Sequence, residues 1–149
     1  MYADLHLHTN YSDGTFTPEE LAEHGQRVGL NAMALTDHDT VDGCTRMAVA
    51  CSERDIEFVA GCEFTVEHDG NELHLLGYFL DLENDHLRGE LAKYQKIRRN
   101  RIHEMVVKLN ELGVKITSDD VMKIANCDSP GRPHIGRALV AFGHCGSLD

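Results

Sequence analysis

No run of apolar residues in this chain approaches the ~20 that a helix needs to cross a bilayer, and no hydrophobic segment follows Met1. A membrane partner and a secretory signal are therefore not expected. Basic residues are scarce: 14 Lys and Arg stand against 25 Asp and Glu, a net charge of −11. That balance excludes a surface that grips nucleic-acid backbone along its whole extent, and stable duplex binding with it. The five cysteines, Cys44, Cys51, Cys62, Cys127 and Cys145, contain no Cys-x-x-Cys pair. This argues against a structural zinc site and predicts reduced thiols in the cytoplasm, most of them acting as small buried hydrophobes. Proline is limited to 3 residues, and 42% hydrophobic with 26% charged residues is an ordinary globular composition, not a disordered one. A chain of 149 residues suffices for one modest domain, or one domain with a small appendage.

What is present is unevenly spread. Residues 1–86 hold 18 acidic and 3 basic side chains, whereas residues 87–149 hold 7 acidic and 11 basic. Most of the 10 histidines that carry a pattern lie beside acidic residues in the first part. An acidic, His-rich unit followed by a basic, helical one suggests two regions with different tasks, residues 1–83 and 84–149.

The first region reads as alternating strand and helix. Tyr2–His8 is a predicted strand, and Asn10-Tyr11-Ser12-Asp13-Gly14 is turn chemistry. Thr17-Pro18-Glu19-Glu20 is a capping box with Pro at the first helical position, and Gly29 is a suitable stop. Ala32–Thr36 reads as a short buried strand, Asp37-His38-Asp39 as a loop, Asp42–Glu53 as a helix and Ile56–Ala60 as a third strand. This alternation predicts parallel α/β architecture. Glu63–His68 and Glu72–Leu80 flank Asp69-Gly70, a hairpin signal. From Asn84 the period becomes helical: Leu91, Tyr94, Ile102, Met105, Leu109 and Leu112 recur at three- and four-residue steps up to Gly113. Shorter helices are expected after Thr117-Ser118 and after Pro133, the latter with Pro133 as its first residue.

His6 and His8, two apart on a strand, point to one face near its C-terminal end, where open α/β sheets and barrels place their sites. Asp13 follows in the next loop, His38 after the second strand, Glu63 after the third and His74 on the hairpin's return strand. Each alone has an ordinary explanation as turn capping or surface polarity. Six such residues, each where a βα scaffold presents its loops, predict a metal site of imidazole and carboxylate suited to Zn, Mn or Fe.

These segments carry a resemblance. Asp4-Leu5-His6-Leu7-His8-Thr9 with Ser12-Asp13-Gly14, then Ala34-Leu35-Thr36-Asp37-His38-Asp39, Gly61-Cys62-Glu63 and His74-Leu75-Leu76-Gly77 resemble four successive motifs of the PHP (polymerase and histidinol phosphatase) superfamily. The resemblance implies a distorted (β/α)7 barrel binding up to three divalent ions. By it, His6 and His8 hold one ion, Glu63 bridges it to a second held by His74, and Asp13 and His38 hold the third. It also implies phosphoester hydrolysis by metal-activated water.

In the second region, Arg98 falls inside the apolar stripe and Arg101 at its edge. An Arg on such a face must find an anion or snorkel out, so it is either an internal ion pair or a clamp for phosphate, which guanidinium matches bidentately. Ser129-Pro130-Gly131-Arg132-Pro133-His134-Ile135 opens a helix whose N-terminus is a ready anion site. This segment and the Arg-bearing helix are similar to a small helical insertion in the 3′,5′-nucleoside bisphosphate phosphatase and 5′-to-3′ RNA exonuclease branch. The similarity implies that Asp13, Arg98, Arg99, Asn100, Arg101 and His134 lie against substrate, a small phosphorylated nucleotide or short RNA. No catalytic residue beyond the metal ligands is implied.

The family barrel continues past the insertion with strands that add a further His and an Asp-x-His pair; none of those strands follows the insertion here, and His144 is at the wrong place to replace their ligands. The sequence therefore matches the first part of the barrel plus the insertion. Such a part leaves a strand edge and an apolar face uncovered, from which self-association is expected. Two alternative activities are a histidinol-phosphate phosphatase and a non-catalytic metal-binding remnant or polymerase accessory module.

Overall fold

The computed structural model describes residues 2–148 and contains four strands and five helices among them. The first region runs β1 (Ala3–Leu7), α1 (Pro18–Val28), β2 (Ala32–Leu35), α2 (Cys44–Ser52), β3 (Glu57–His68) and β4 (Asn71–Tyr78). The second holds α3 (Asp85–Glu111), α4 (Ser118–Ala125) and α5 (Arg132–Ala141). The strands form one mixed sheet in the order β1-β2-β3-β4. β1 and β2 pair in parallel from Ala3 with Ala32 to Leu7 with Leu35, and β2 and β3 from Ala32 with Glu57 to Leu35 with Ala60. β3 and β4 form the expected hairpin, from Gly61 with Tyr78 to His68 with Asn71. The sheet curls on itself, because the Tyr78 hydroxyl of β4 donates to the Leu5 carbonyl of β1 at 2.8 Å, across the full strand order.

Local chemistry accounts for the element ends. Thr17 and Glu20 cap α1 reciprocally, and Gly29 closes it in the left-handed region at φ 81°. Thr117 and Asp120 do the same for α4, and the Asn84 side chain caps α3. Two cores result. Leu21, Met33, Leu35, Met47, Cys51 and Ile56 lie between the sheet and α1 and α2, while Ile102, Val106, Ile116, Val121, Ile135 and Ala138 lie among the last three helices. α3 joins both, since its Leu91 packs in the first core and its Ile102 in the second.

Five details differ from the sequence reading. The third strand and the hairpin's first strand are one continuous β3, because Gly61 is not a turn: a side chain there would meet the Gly77 carbonyl and the Thr36 methyl at 2.9 Å. α2 begins at Cys44, since Asp42 is held in a turn by mutual hydrogen bonds with Thr40. β4 stops at Tyr78, where Phe79 takes a left-handed φ of 56°. α3 ends at Glu111, so Leu112 leaves the apolar stripe and is exposed, and α5 begins at Arg132, which places Pro133 second. Of the cysteines, Cys44, Cys51 and Cys62 are buried as expected, Cys127 is half-buried and Cys145 exposed.

Candidate metal centre

Glu63 is the hub of the site. It follows the last β2-paired residue of β3 and is 5% exposed. A parallel bridge between His38 and Glu63 extends the β2–β3 pairing past the end of β2, with Glu63 N–H donating to the Asp37 carbonyl and Asp39 N–H to the Glu63 carbonyl. The loop that carries His38 is thereby locked beside Glu63. Four imidazoles face the carboxylate. His6 Nε2 and His8 Nε2 lie 2.9 and 3.0 Å from Oε2, His38 Nδ1 lies 3.5 Å from Oε2, and His74 Nδ1 lies 2.6 Å from Oε1. Asp13 completes the group, with its two oxygens 3.5 Å from His8 Nδ1 and from His38 Nε2. Gly14 permits this approach, because a Cβ there would sit 2.4 Å from the His8 carbonyl oxygen.

The donor atoms make three overlapping trios, His6–His8–Glu63, His8–Asp13–His38 and His38–Glu63–His74, each within 4.8 Å. All six residues expected as ligands are thus gathered, and His8, His38 and Glu63 each belong to two trios. The donors fit a divalent cation. His38 Nδ1 is a buried nitrogen without a hydrogen-bond partner among the described residues, as expected of an imidazole in a site that takes a cation.

Electrostatics favour the ligating forms. Burial, and then the charge of His38, lower the His8 pKa below its usual value and keep the ring neutral. Burial alone would raise the Asp13 carboxyl, but the hydrogen bond and charge of His38 outweigh it and hold the group at about 2. Glu63 is likewise pushed up by burial and brought below the usual carboxylate range by His6 and His38. Behind the ligands, buried Asp37 accepts from Thr9 N–H at 2.7 Å, Thr9 Oγ1 at 2.5 Å and Ser12 Oγ at 2.6 Å. Ser12 Oγ in turn lies 3.3 Å from His8 Nδ1, so this network fixes the loop and the ring together.

A cleft of about 160 Å³ opens beside the centre, walled by Asp13, His38 and His74 on one side and by Arg98, Arg101 and Arg132 on the other. Of the residues expected against substrate, it unites Asp13, Arg98 and Arg101. The other three stand elsewhere. Arg99 donates to the carbonyl and side chain of Asp128, and Asn100 is exposed on α3. His134 is 1% exposed, accepts from Gly131 N–H to cap α5, and faces a second hollow with Asn10 and Arg137.

Arg98 has internal partners. Its Nε donates to Asp39 at 2.5 Å and its Nη2 to Thr65 Oγ1 at 2.7 Å, while Asp39 also accepts from the N–H and hydroxyl of Thr65. The sequence reading missed Asp39 as the hub that ties α3 to the strands of the candidate centre. It also missed Glu72, which shares the cleft wall, and Arg137, whose Nη2 donates to the Asp13 carbonyl at 2.6 Å. Their signal is spatial, not sequential: Arg137 and Asp13 are 124 residues apart.

Comparison with known proteins agrees with this geometry. The PHP domain model matches residues 4–135. The chain belongs to the PHP family. It is 31% identical over 140 residues to a 5′-3′ exoribonuclease of Haemophilus influenzae, covering 94% of this chain and 51% of the relative. It is 32% identical over 143 residues to a 3′,5′-nucleoside bisphosphate phosphatase of Chromobacterium violaceum, covering 94% and 50%. A solved chain from Bifidobacterium adolescentis, described as a metal-dependent phosphoesterase, superposes with a TM-score of 0.89 at 34% identity, covering 98% of this chain and 52% of that one. This PHP chain thus spans about half the length of the curated relatives it matches. Its curled four-stranded sheet with five helices, a mixed α/β half-barrel, superposes on about half of that solved chain. No helix among the described residues is long and apolar enough to cross a membrane.

Proposed function

We propose that this PHP chain is the metal-carrying part of a phosphoesterase that removes a phosphate monoester from a nucleotide, either a 3′,5′-nucleoside bisphosphate or the 5′ end of a short RNA. The observation that carries the reading is the juxtaposition of six ligand-type side chains with a cleft walled by three arginines. His6 and His8 would hold one divalent ion with Glu63, His74 a second with Glu63, and Asp13 and His38 a third. Mn, Fe and Zn all suit this donor set. When bound, such ions supply an ionised water near neutral pH and neutralise phosphoryl charge.

The chain's own residues do the rest. Asp37, through Ser12, orients His8, and Asp39 holds the His38 loop against Glu63. Arg101 and Arg132 present guanidinium groups to phosphate oxygens in the cleft. Arg132 is exposed at the first turn of α5 and has no ion-pair or hydrogen-bond partner among the described residues, so it is available to an anion. Arg98 shares its charge with Asp39, and its Nε and Nη2 are already engaged by Asp39 and Thr65. The strands described here would form the first part of the family's (β/α)7 barrel.

The nucleotide branch is favoured over histidinol phosphate by the helical region and its arginines, which resemble that branch's insertion. The test is phosphate release by the manganese-loaded chain from adenosine 3′,5′-bisphosphate and from histidinol phosphate, with bound metal measured in parallel. Preference for the bisphosphate supports the reading. Preference for histidinol phosphate overturns the substrate, and a metal-loaded chain inert on both indicates a metal-binding module.

A further inference from the structure

Glu72 stands on β4 two residues before His74, so both side chains share one face of the strand. Its two oxygens do different things. Oε2 accepts from Arg101 Nη1 at 2.8 Å, across the seam between the two regions, and Oε1 lies 3.6 Å from His74 Nε2. His74 turns its other nitrogen, Nδ1, to Glu63. A single carboxylate thus touches a cleft arginine and the outer nitrogen of a residue in the metal centre, and Glu72 itself lines the cleft.

A carboxylate has the wrong sign for the wall of an anion cleft. It repels a phosphate and occupies a donor the phosphate needs. We propose that Glu72 sets the threshold affinity an anion must exceed to take the cleft. It acts as a built-in competitor that holds Arg101 until an anion strong enough to replace it arrives. The Arg101 and Glu72 side chains are 43% and 46% exposed, and a pair so exposed is weak. A phosphate dianion, bonded bidentately by guanidinium, displaces Glu72, whereas a singly charged carboxylate gains little over the one already present. After displacement Glu72 stays beside His74 Nε2, where a carboxylate holds the ring with Nδ1 toward Glu63. The ligand class strong enough to displace Glu72 is the terminal phosphate monoester. This inference rests on reading the cleft as a phosphate site.

Calorimetric titration of the manganese-loaded full chain with inorganic phosphate and with acetate tests it, using wild type, Glu72→Gln, Arg101→Gln and the double variant. Glu72→Gln is expected to tighten phosphate about twofold to fivefold, the scale of an exposed pair, and to tighten acetate at least as much. In the Arg101→Gln background the same substitution should have a clearly smaller effect on phosphate, because only the direct repulsion remains to be relieved. An unchanged or weaker phosphate affinity in Glu72→Gln, or an equal gain with and without Arg101, overturns the inference. Loss of phosphate binding in Arg101→Gln alongside an unaffected Glu72→Gln overturns it while leaving the cleft reading intact. No phosphate binding by wild type and Glu72→Gln alike overturns both.

Discussion

The strand-bearing region and the helical region each have a core, linked by Leu91 of α3, and around the candidate metal centre they meet through polar groups. On one side of the seam are the backbones and side chains of the loops that carry the metal residues. On the other are donors from α3, α5 and the turn before α5. Arg98 reaches the Asp39 carboxylate, Gln95 the Asp39 carbonyl, Ser129 the His38 carbonyl and Arg137 the Asp13 carbonyl. The half-buried Cys127 thiol adds a contact to the Ser12 carbonyl at 3.3 Å. The acidic region supplies the candidate ligand atoms, and the basic region satisfies the loops that aim them. Loops need such partners, because a buried carbonyl or carboxylate without a donor is costly. The helical region is therefore a brace for the centre as well as a wall of the cleft.

Breaking the brace at its buried ion pair should have the largest effect. Arg98→Met leaves Asp39, 1% exposed, as an uncompensated charge, and loss of one partner of a buried pair costs ~3–5 kcal/mol. Urea unfolding should show that loss, and adding Asp39→Asn should recover part of it. Breaking the strand region's own hub comes next. Glu63→Gln removes the carboxylate that belongs to two of the three trios, and manganese affinity should fall by more than ~100-fold, since even partners behind a ligand are worth ~10–100-fold. Helical content should be unchanged by circular dichroism.

A milder cut sharpens the comparison. Ser129→Ala deletes the hydroxyl that donates to the His38 carbonyl and should cost ~0.5–1.5 kcal/mol in the same unfolding experiment, with little change in helix content. The smallest expected effect is in pH dependence. The His8 pKa in the folded chain lies below 6.5, so the folded state favours the neutral ring. Its contribution to metal-free stability is present above that value and is lost as pH falls through the folded pKa. Manganese affinity should accordingly be flat above about pH 6.5 and fall below it, as protons compete for the imidazoles. A titration series between pH 5 and 8 checks this.

Local signals in the sequence revealed what depends on near neighbours. The Thr17–Glu20 box, the Asp69-Gly70 hairpin and the two-residue spacing of His6 and His8 each report on adjacent backbone, and each is where it was expected. Two glycines in similar settings separate the rest. Gly70 turns the chain at φ 73°, whereas Gly61 lies inside a strand and is small only because Gly77 and Thr36 press against it. A sequence shows both as Gly, so β3 reads as two strands. The same holds for Arg98. Its place on the apolar face announced a need for an anion, but the alternatives of ion pair and phosphate clamp turn on a partner 59 residues away. His134 was placed with substrate by resemblance, yet its Nδ1 is engaged by Gly131 at the start of its own helix. Long-range pairing leaves no period to read.

The central claim is that six side chains from β1, β3, β4 and two loops form one centre for divalent ions at the seam. Anomalous diffraction from crystals of the manganese-loaded chain tests it most directly. Ion peaks are expected within coordination distance of His6, His8, Asp13, His38, Glu63 and His74, with the peaks touching Glu63 lost in Glu63→Gln. Peaks confined to other carboxylates, or an ordered chain with no ion among these six residues at saturating manganese, would contradict it.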